Sequence, residues 1–246
     1  MKPVDAHCHL DFEHFDGDRE DVIAEAKEKL EFVVNAGANM EHNAASLELQ
    51  REHPDFVVAN LGLHPTYTDS FDQLQEVVAQ IREHEPAAIG EIGLDYHHVT
   101  EKDGRERQED VFRQLLALAE DTNRAVVVHS RDAEKQAVEI LQEYALPDVM
   151  LHCFNGRPEL AEKAASNGMT VGVSTQVLYS NRVKDIVKTL EPGEMMLETD
   201  SPFLYRGERN VPTNVLESAE KIADIKQLRR EKVVKATTAN AERFFR

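Results

Sequence analysis

Short apolar runs alternate with longer amphipathic stretches from one end of the chain to the other. Eight of the runs read as strands: Lys2–Ala6, Phe32–Ala36, Phe56–Leu61, Ala87–Ile92, Ala125–His129, Val149–His152, Thr170–Val173 and Met195–Thr199. The segment AVVVH at 125–129 is a continuous apolar run, as expected of a parallel strand covered on both faces. Between the runs, helical spacing covers Arg19–Lys29, Asn43–Glu52, Phe71–Glu83, Glu106–Asp121, Ala133–Tyr144, Pro158–Ser166 and Arg182–Leu190. Two further helices, Val215–Ile225 and Leu228–Phe244, follow the last strand. In EDVFRQLLALAE at 109–120 the apolar positions fall on one helical face, which suits a helix lying against the outside of a sheet.

Eight β–α units without an intervening linker predict an α/β fold of the (β/α)8 (TIM) barrel type rather than a doubly wound sheet. A single domain over residues 1–246 is expected, since no low-complexity tract or internal repeat divides the chain. Neither GxGxxG nor GxxxxGK[ST] occurs, so both common nucleotide-binding loops are excluded.

Composition adjusts this picture in three ways. No apolar run is long enough to span a bilayer, and MKPVDAHCHL has neither the basic nor the apolar region of a signal peptide. Only two cysteines occur, Cys8 and Cys153, both inside histidine motifs; two free thiols in a reducing cytoplasm are expected. The formal charge of -18, from 46 acidic against 28 basic residues, repels a polyanion at long range and excludes extensive sequence-independent binding to duplex DNA. A nucleic-acid substrate stays open, because metal ions can offset that repulsion where the chemistry happens.

The unusual polar residues fall at the strand ends. Asp5-Ala6-His7-Cys8-His9 closes the first strand and Gly62-Leu63-His64-Pro65 the third. Glu91 lies at the end of the fourth, His129-Ser130-Arg131 at the end of the fifth, His152 at the sixth and Glu198-Thr199-Asp200 at the eighth. In a barrel these ends face one another across the top, where catalytic residues gather. Residues two apart in an extended segment point the same way, so His7 and His9 can present two imidazoles to one ion while Cys8 points elsewhere. Four histidines and two carboxylates suffice for two divalent ions if a group bridges them, and Glu91, between the two histidine sides, is the candidate bridge. Each residue taken alone also fits an ordinary role: a core histidine, a turn cap, a loop start. Six ionisable groups at five strand ends are harder to explain that way, because burying them without a metal is expensive.

Together DAHCHL, GLHP, GEIGLDY, HSR, HCFNG, ETDSPFL, RNVP, Gln108, Phe112 and a late Asn240 resemble the TatD family of metal-dependent deoxyribonucleases, within the amidohydrolase-like barrels. The resemblance runs nearly end to end. It implies that His7, His9 and Asp200 bind one metal, that Glu91 is shared, and that His129 and His152 complete the second site. It further implies that Asp200 acts as general base on the attacking water and that His64 and Arg131 contact the substrate phosphate. The implied cofactors are two divalent ions, with Mg²⁺, Zn²⁺ and Mn²⁺ all open, and the implied reaction is hydrolysis of DNA phosphodiesters from strand ends. Arg131, Arg157, Arg182, Arg206 and Arg209 are the basic loop residues expected near backbone phosphates. The chain departs from the family at Val211, where Glu is usual, which leaves open the role of the loop that Asn210 supports; it departs also at Ala125, where Pro is common. Two alternatives remain: a two-metal esterase, deacylase (as on aminoacylated RNA) or small-substrate phosphoesterase, and a noncatalytic metal- or nucleic-acid-binding barrel. Glu91, in place of the carbamylated lysine of many amidohydrolases, points away from those subgroups.

Overall fold

The computed structural model describes residues 1–246. Eight parallel strands appear in the predicted order: β1 (Asp5–Cys8), β2 (Val33–Ala36), β3 (Val57–Asn60), β4 (Ala88–Asp95), β5 (Ala125–Arg131), β6 (Val149–Leu151), β7 (Thr170–Val173) and β8 (Met195–Leu197). Nine helices surround them: α1 (Arg19–Lys29), α2 (Met40–Glu52), α3 (Leu74–His84), α4 (Lys102–Thr122), α5 (Glu134–Leu141), α6 (Pro158–Ser166), α7 (Asn181–Thr189), α8 (Val215–Lys226) and α9 (Arg230–Phe245). The strands pair in two runs, β1-β2-β3 and β4-β5-β6-β7-β8. Bridges Leu61–Ile89 and Cys8–Ser201 join the runs into a closed ring, the (β/α)8 barrel expected from the sequence. No helix is long and apolar enough to cross a membrane.

Boundaries move where local chemistry competes with the apolar pattern. The β1 ladder starts at Asp5 rather than Lys2, beyond Pro3, which has no N–H to donate. The β4–β5 pair extends past the apolar run, with Gly93, Leu94 and Asp95 opposite His129, Ser130 and Arg131. A 3-10 turn over Thr68–Gln73 replaces the expected first turn of α3. Asn123, in the left-handed region at φ 50°, ends α4, a conformation that asparagine tolerates better than most residues.

The strand alternation decides what fills the barrel. Val4, Phe32, Val127, Met150 and Met196 meet Phe244 and Phe245 of α9 in one buried apolar cluster. Asn240 fastens α9 there by donating to the carbonyls of Gly193 (2.8 Å) and Met195 (2.9 Å), at the start of β8. The apolar helix faces pack on the outer side of the strands; Val111, Phe112, Leu115, Leu116 and Ala119 of α4 are buried. The N-terminal floor of the barrel is thus closed by apolar side chains, and the opposite end carries the cluster of ionisable residues.

Candidate active site

Period-two alternation leads from the floor to the site. Val127 and His129 share a face of β5; Met150 and His152 at β6, and Met196 and Glu198 at β8, keep the same spacing. At the end of β1 the Nε2 atoms of His7 and His9 lie 3.2 Å apart, while Cys8 turns away and sets its thiol on the Val34 carbonyl at 3.3 Å. Backbone bonds stitch β1 to the segment after β8: Asp200 N–H donates to His7 O (2.9 Å) and His9 N–H to Ser201 O (2.8 Å). Asp200 has φ 57°, so its backbone turns sharply there, a left-handed conformation that Asp adopts more readily than most residues.

Glu91 sits buried at the centre, and its two oxygens face different histidines. Oε2 lies 3.3 Å from His7 Nε2 and 3.8 Å from His9 Nε2. Oε1 lies 2.8 Å from His129 Nδ1, 3.4 Å from His64 Nε2 and 3.6 Å from His152 Nε2. Asp200 Oδ1 is 3.5 Å from both His9 Nε2 and His152 Nε2. Two groups with metal-ligand spacing therefore share Glu91: His7, His9 and Glu91, and His64, Glu91 and His129; His152 and Asp200 group with Cys153.

Hydrogen bonds decide which imidazole nitrogens are free. His9 Nδ1 must donate to the Ala36 carbonyl (3.1 Å), and His152 Nδ1 donates to Glu198 Oε2 (2.8 Å), which leaves both Nε2 lone pairs facing inward. His129 uses Nε2 to donate to Asp95 Oδ2 (3.0 Å) and turns Nδ1 inward. Carboxylate and carbonyl partners of this kind orient histidines for metal binding. His7 Nδ1 is buried without any partner. His64 differs from the others: its Nδ1 lies 2.7 Å from Thr66 Oγ1 and 3.2 Å from the Thr66 N–H, and its Nε2 faces His129 Nδ1 at 3.2 Å.

Charge within the cluster follows from these contacts. Burial opposes ionisation of Glu91, but His64, His152 and His7 hold its carboxyl well below the ordinary range. Burial likewise opposes a charge on Asp200, and His152 and His9 hold it ionised. Against the same burial cost, the bonds to Asp95 and Glu91 push His129 up to about 9. His9 is raised by Asp200, and His152 by Glu198 and Glu91, again against burial. The carboxylates thus draw protons onto inward nitrogens whose lone pairs could otherwise bind an ion. Converging imidazole and carboxylate donors that attract positive charge fit divalent ions of the Zn²⁺ or Mn²⁺ kind.

All six predicted metal-site residues come together here, and His64 joins them. Arg131 does not; it stands exposed at the end of β5. Arg209 is occupied by Asp18 (2.6 and 2.8 Å) and the His14 carbonyl, so it is not the free phosphate contact expected of it. Asn210 holds its loop as anticipated, donating to Thr175 Oγ1, Thr199 O and Phe203 O at 2.7–3.0 Å. The sequence reading missed three buried carboxylates. Asp95 supports His129; Glu198 supports His152 and accepts the Cys153 N–H; Asp5 accepts from Thr199 N–H (2.8 Å) and Oγ1–H (2.6 Å), clamping β1 to the chain after β8. All three lie inside quoted motifs, two to four residues from a predicted ligand, and that adjacency was the available signal. Gly172 of β7 makes room for Glu198, since a Cβ there would lie 2.6 Å from its Oε1.

The same residues are matched by a family model described as TatD related DNase, over 4–246. The chain belongs to the TatD family. A metal-dependent hydrolase of Bacillus subtilis, YabD, is 38% identical over 98% of both chains. The human protein named deoxyribonuclease TATDN3 is 34% identical, over 98% of this chain and 94% of its own. The crystal structure of YJJV, a TatD homologue from Escherichia coli, superimposes with a TM-score of 0.88 at 27% identity, covering 99% of this chain and 97% of that one. Membership makes this chain a metal-dependent hydrolase of the TatD type.

Proposed function

We propose that the chain hydrolyses DNA phosphodiester bonds from strand ends, acting as one catalytic domain over residues 1–246. The observation that carries this reading is the division of Glu91, whose two oxygens each face their own histidines. In this reading His7, His9 and Asp200 hold one divalent ion, His129 and His152 hold the second, and Glu91 belongs to both. Zn²⁺, Mn²⁺ and Mg²⁺ are the candidate metals. When bound, such ions supply Lewis acidity toward a phosphoryl oxygen and lower the pKa of an attacking water.

The chain's own groups do the rest. Asp200, kept ionised and pointed inward, takes a proton from the attacking water as the new P–O bond forms. That proton balances the departing sugar oxygen when the ester bond breaks. His64, beside Glu91 at the edge of the cluster, is the contact for a phosphate oxygen. Arg131, exposed at the rim, meets a neighbouring phosphate. With a net charge of -18 the contact footprint is small, so affinity falls only gently with salt. The free thiols Cys8 and Cys153 suit a reducing compartment such as the cytoplasm.

The decisive experiment assays the purified protein over a metal panel on 5′- and 3′-labelled single strands, p-nitrophenyl phosphate and simple carboxylic esters. Progressive shortening from one labelled end is expected. Preference for the carboxylic esters would overturn the nuclease reading, and a steep salt slope would remove the small-footprint part of it.

A further inference from the structure

The rim around the cluster is not uniform. On the β1 side Phe12 stacks on His9, with centroids 4.6 Å apart, and Phe203 meets Phe12 edge-on at 5.9 Å, so aromatic rings cover that side of the site. From Asp11, the residue before Phe12, a groove of 380 Å³ runs between α1 and α2. Its lining includes Asp16, Asp18, Glu20, Asp21, Glu48 and Glu52, and its one cation, Arg19, is paired with Asp16 at 2.7 Å. A polyanion is repelled there.

The opposite arc of the ring differs in charge. A groove of 860 Å³ opens between α5, α6 and the start of α7, and Lys135, Arg157, Lys163 and Arg182 line it against three glutamates. Lys135 pairs with Glu139 at 3.6 Å. Arg157, Lys163 and Arg182 form no ion pair; Arg182 donates only to the Asn155 carbonyl, at 3.3 Å. Three of the four cations are thus free to meet an anion from outside. The groove begins at the site itself, since Asn155 follows His152 by three residues and Arg157 by five. The loop that carries them abuts α5: a Cβ on Gly156 would lie 3.3 Å from Glu134 Cβ. Arg131, exposed at the end of the neighbouring strand β5, stands on the same side.

We infer that this arc is the track of the substrate strand. Beyond the scissile phosphate the strand leaves the mouth over the loop after β6, and Arg157 and Arg182 each meet a further backbone phosphate. The inference rests on the nuclease reading above and adds to it a direction and two contacts. A guanidinium presents a fork of N–H donors that matches phosphate oxygens. Contacts to the backbone carry no base information, so the track takes any sequence. A strand laid the other way would cross the aromatic rings and then the acidic groove between α1 and α2.

The test compares wild type with the double variant Arg157→Gln/Arg182→Gln. A control, Lys232→Gln/Lys235→Gln, makes the same charge change on α9, at the other end of the barrel. The substrates are a single-stranded decamer and a dinucleotide, whose one phosphate is the scissile one. The rim variant should raise KM about tenfold for the decamer and less than about twofold for the dinucleotide. Binding of the labelled decamer in EDTA, read by anisotropy over a salt series, should lose about 1.4 from the log–log slope, at about 0.7 per phosphate. The control should match wild type in both measurements. An unchanged KM on the decamer or an unchanged slope in the rim variant overturns the track, as does an equal loss on the dinucleotide or in the control. A wild type that neither cleaves nor binds DNA removes the nuclease reading and the track together, an outcome distinct from any of those.

Discussion

At the floor of the barrel Val127, Met150 and Met196 meet the two phenylalanines of α9, and two residues further along the same faces His129, His152 and Glu198 line the mouth. Both regions are buried, but for opposite reasons. The floor gains from removing apolar surface from water, and its polar Asn240 is paired with the carbonyls of Gly193 and Met195. The mouth carries the desolvation cost of several ionisable groups, offset by mutual hydrogen bonds and by whatever cation the cluster holds. Damage to the floor should therefore appear as lost stability, and damage to the mouth as lost metal and lost turnover.

The largest effect expected at the mouth comes from Asp200→Asn. Turnover should fall by about 10³-fold or more, while thermal unfolding shows a folded protein, because the amide keeps the shape and loses the carboxylate that the proposed mechanism uses as base. Near wild-type activity in this variant would move the base elsewhere. At the floor, Phe244→Ala should cost about 3–5 kcal/mol in denaturant unfolding, with turnover of the folded fraction unchanged. A drop in kcat without a drop in stability would break the division between the regions. Between these lies Glu198→Gln, which keeps the volume but removes the carboxylate from His152 Nδ1. Metal affinity measured by titration calorimetry should weaken about 10- to 100-fold.

The smallest effect is a pH dependence of opposite sign in the two states. In metal-free protein His129 is raised from 6.5 to about 9, so its stabilising contribution is complete below 6.5 and is lost as pH climbs through 9. Metal binding needs that nitrogen deprotonated, so apparent metal affinity should rise over the same interval. Melting in EDTA and metal titrations from pH 6.5 to 9 should run in opposite directions. Parallel trends would show that proton and ion do not compete at His129.

Much of the site was legible before any fold was known, because six of its groups stand at the ends of apolar runs and a barrel brings those ends together. The pairing of His7 with His9 follows from strand alternation alone. Other parts were not legible. Asp95 and Glu198 read as ordinary acidic residues until the fold set them against His129 and His152 across 34 and 46 residues of chain. The orientation of the His64 ring depends on the turn that sets Thr66 against its Nδ1. Arg209 resembled a free phosphate contact until α1 packed against its loop and Asp18 took the guanidinium.

By itself the sequence determined the order and kind of the elements, the closed barrel they make and six of the ionisable residues that meet at its mouth. These depend on local periodicity and on residue chemistry, both of which are properties of neighbouring positions. Only the tertiary structure decided which groups hold the histidine rings, the two-sided placing of Glu91, the carboxylates behind the histidines and the placing of Phe12 and Phe203 beside the site. Those depend on distances between groups far apart in the chain, and only the closing of the barrel sets such distances.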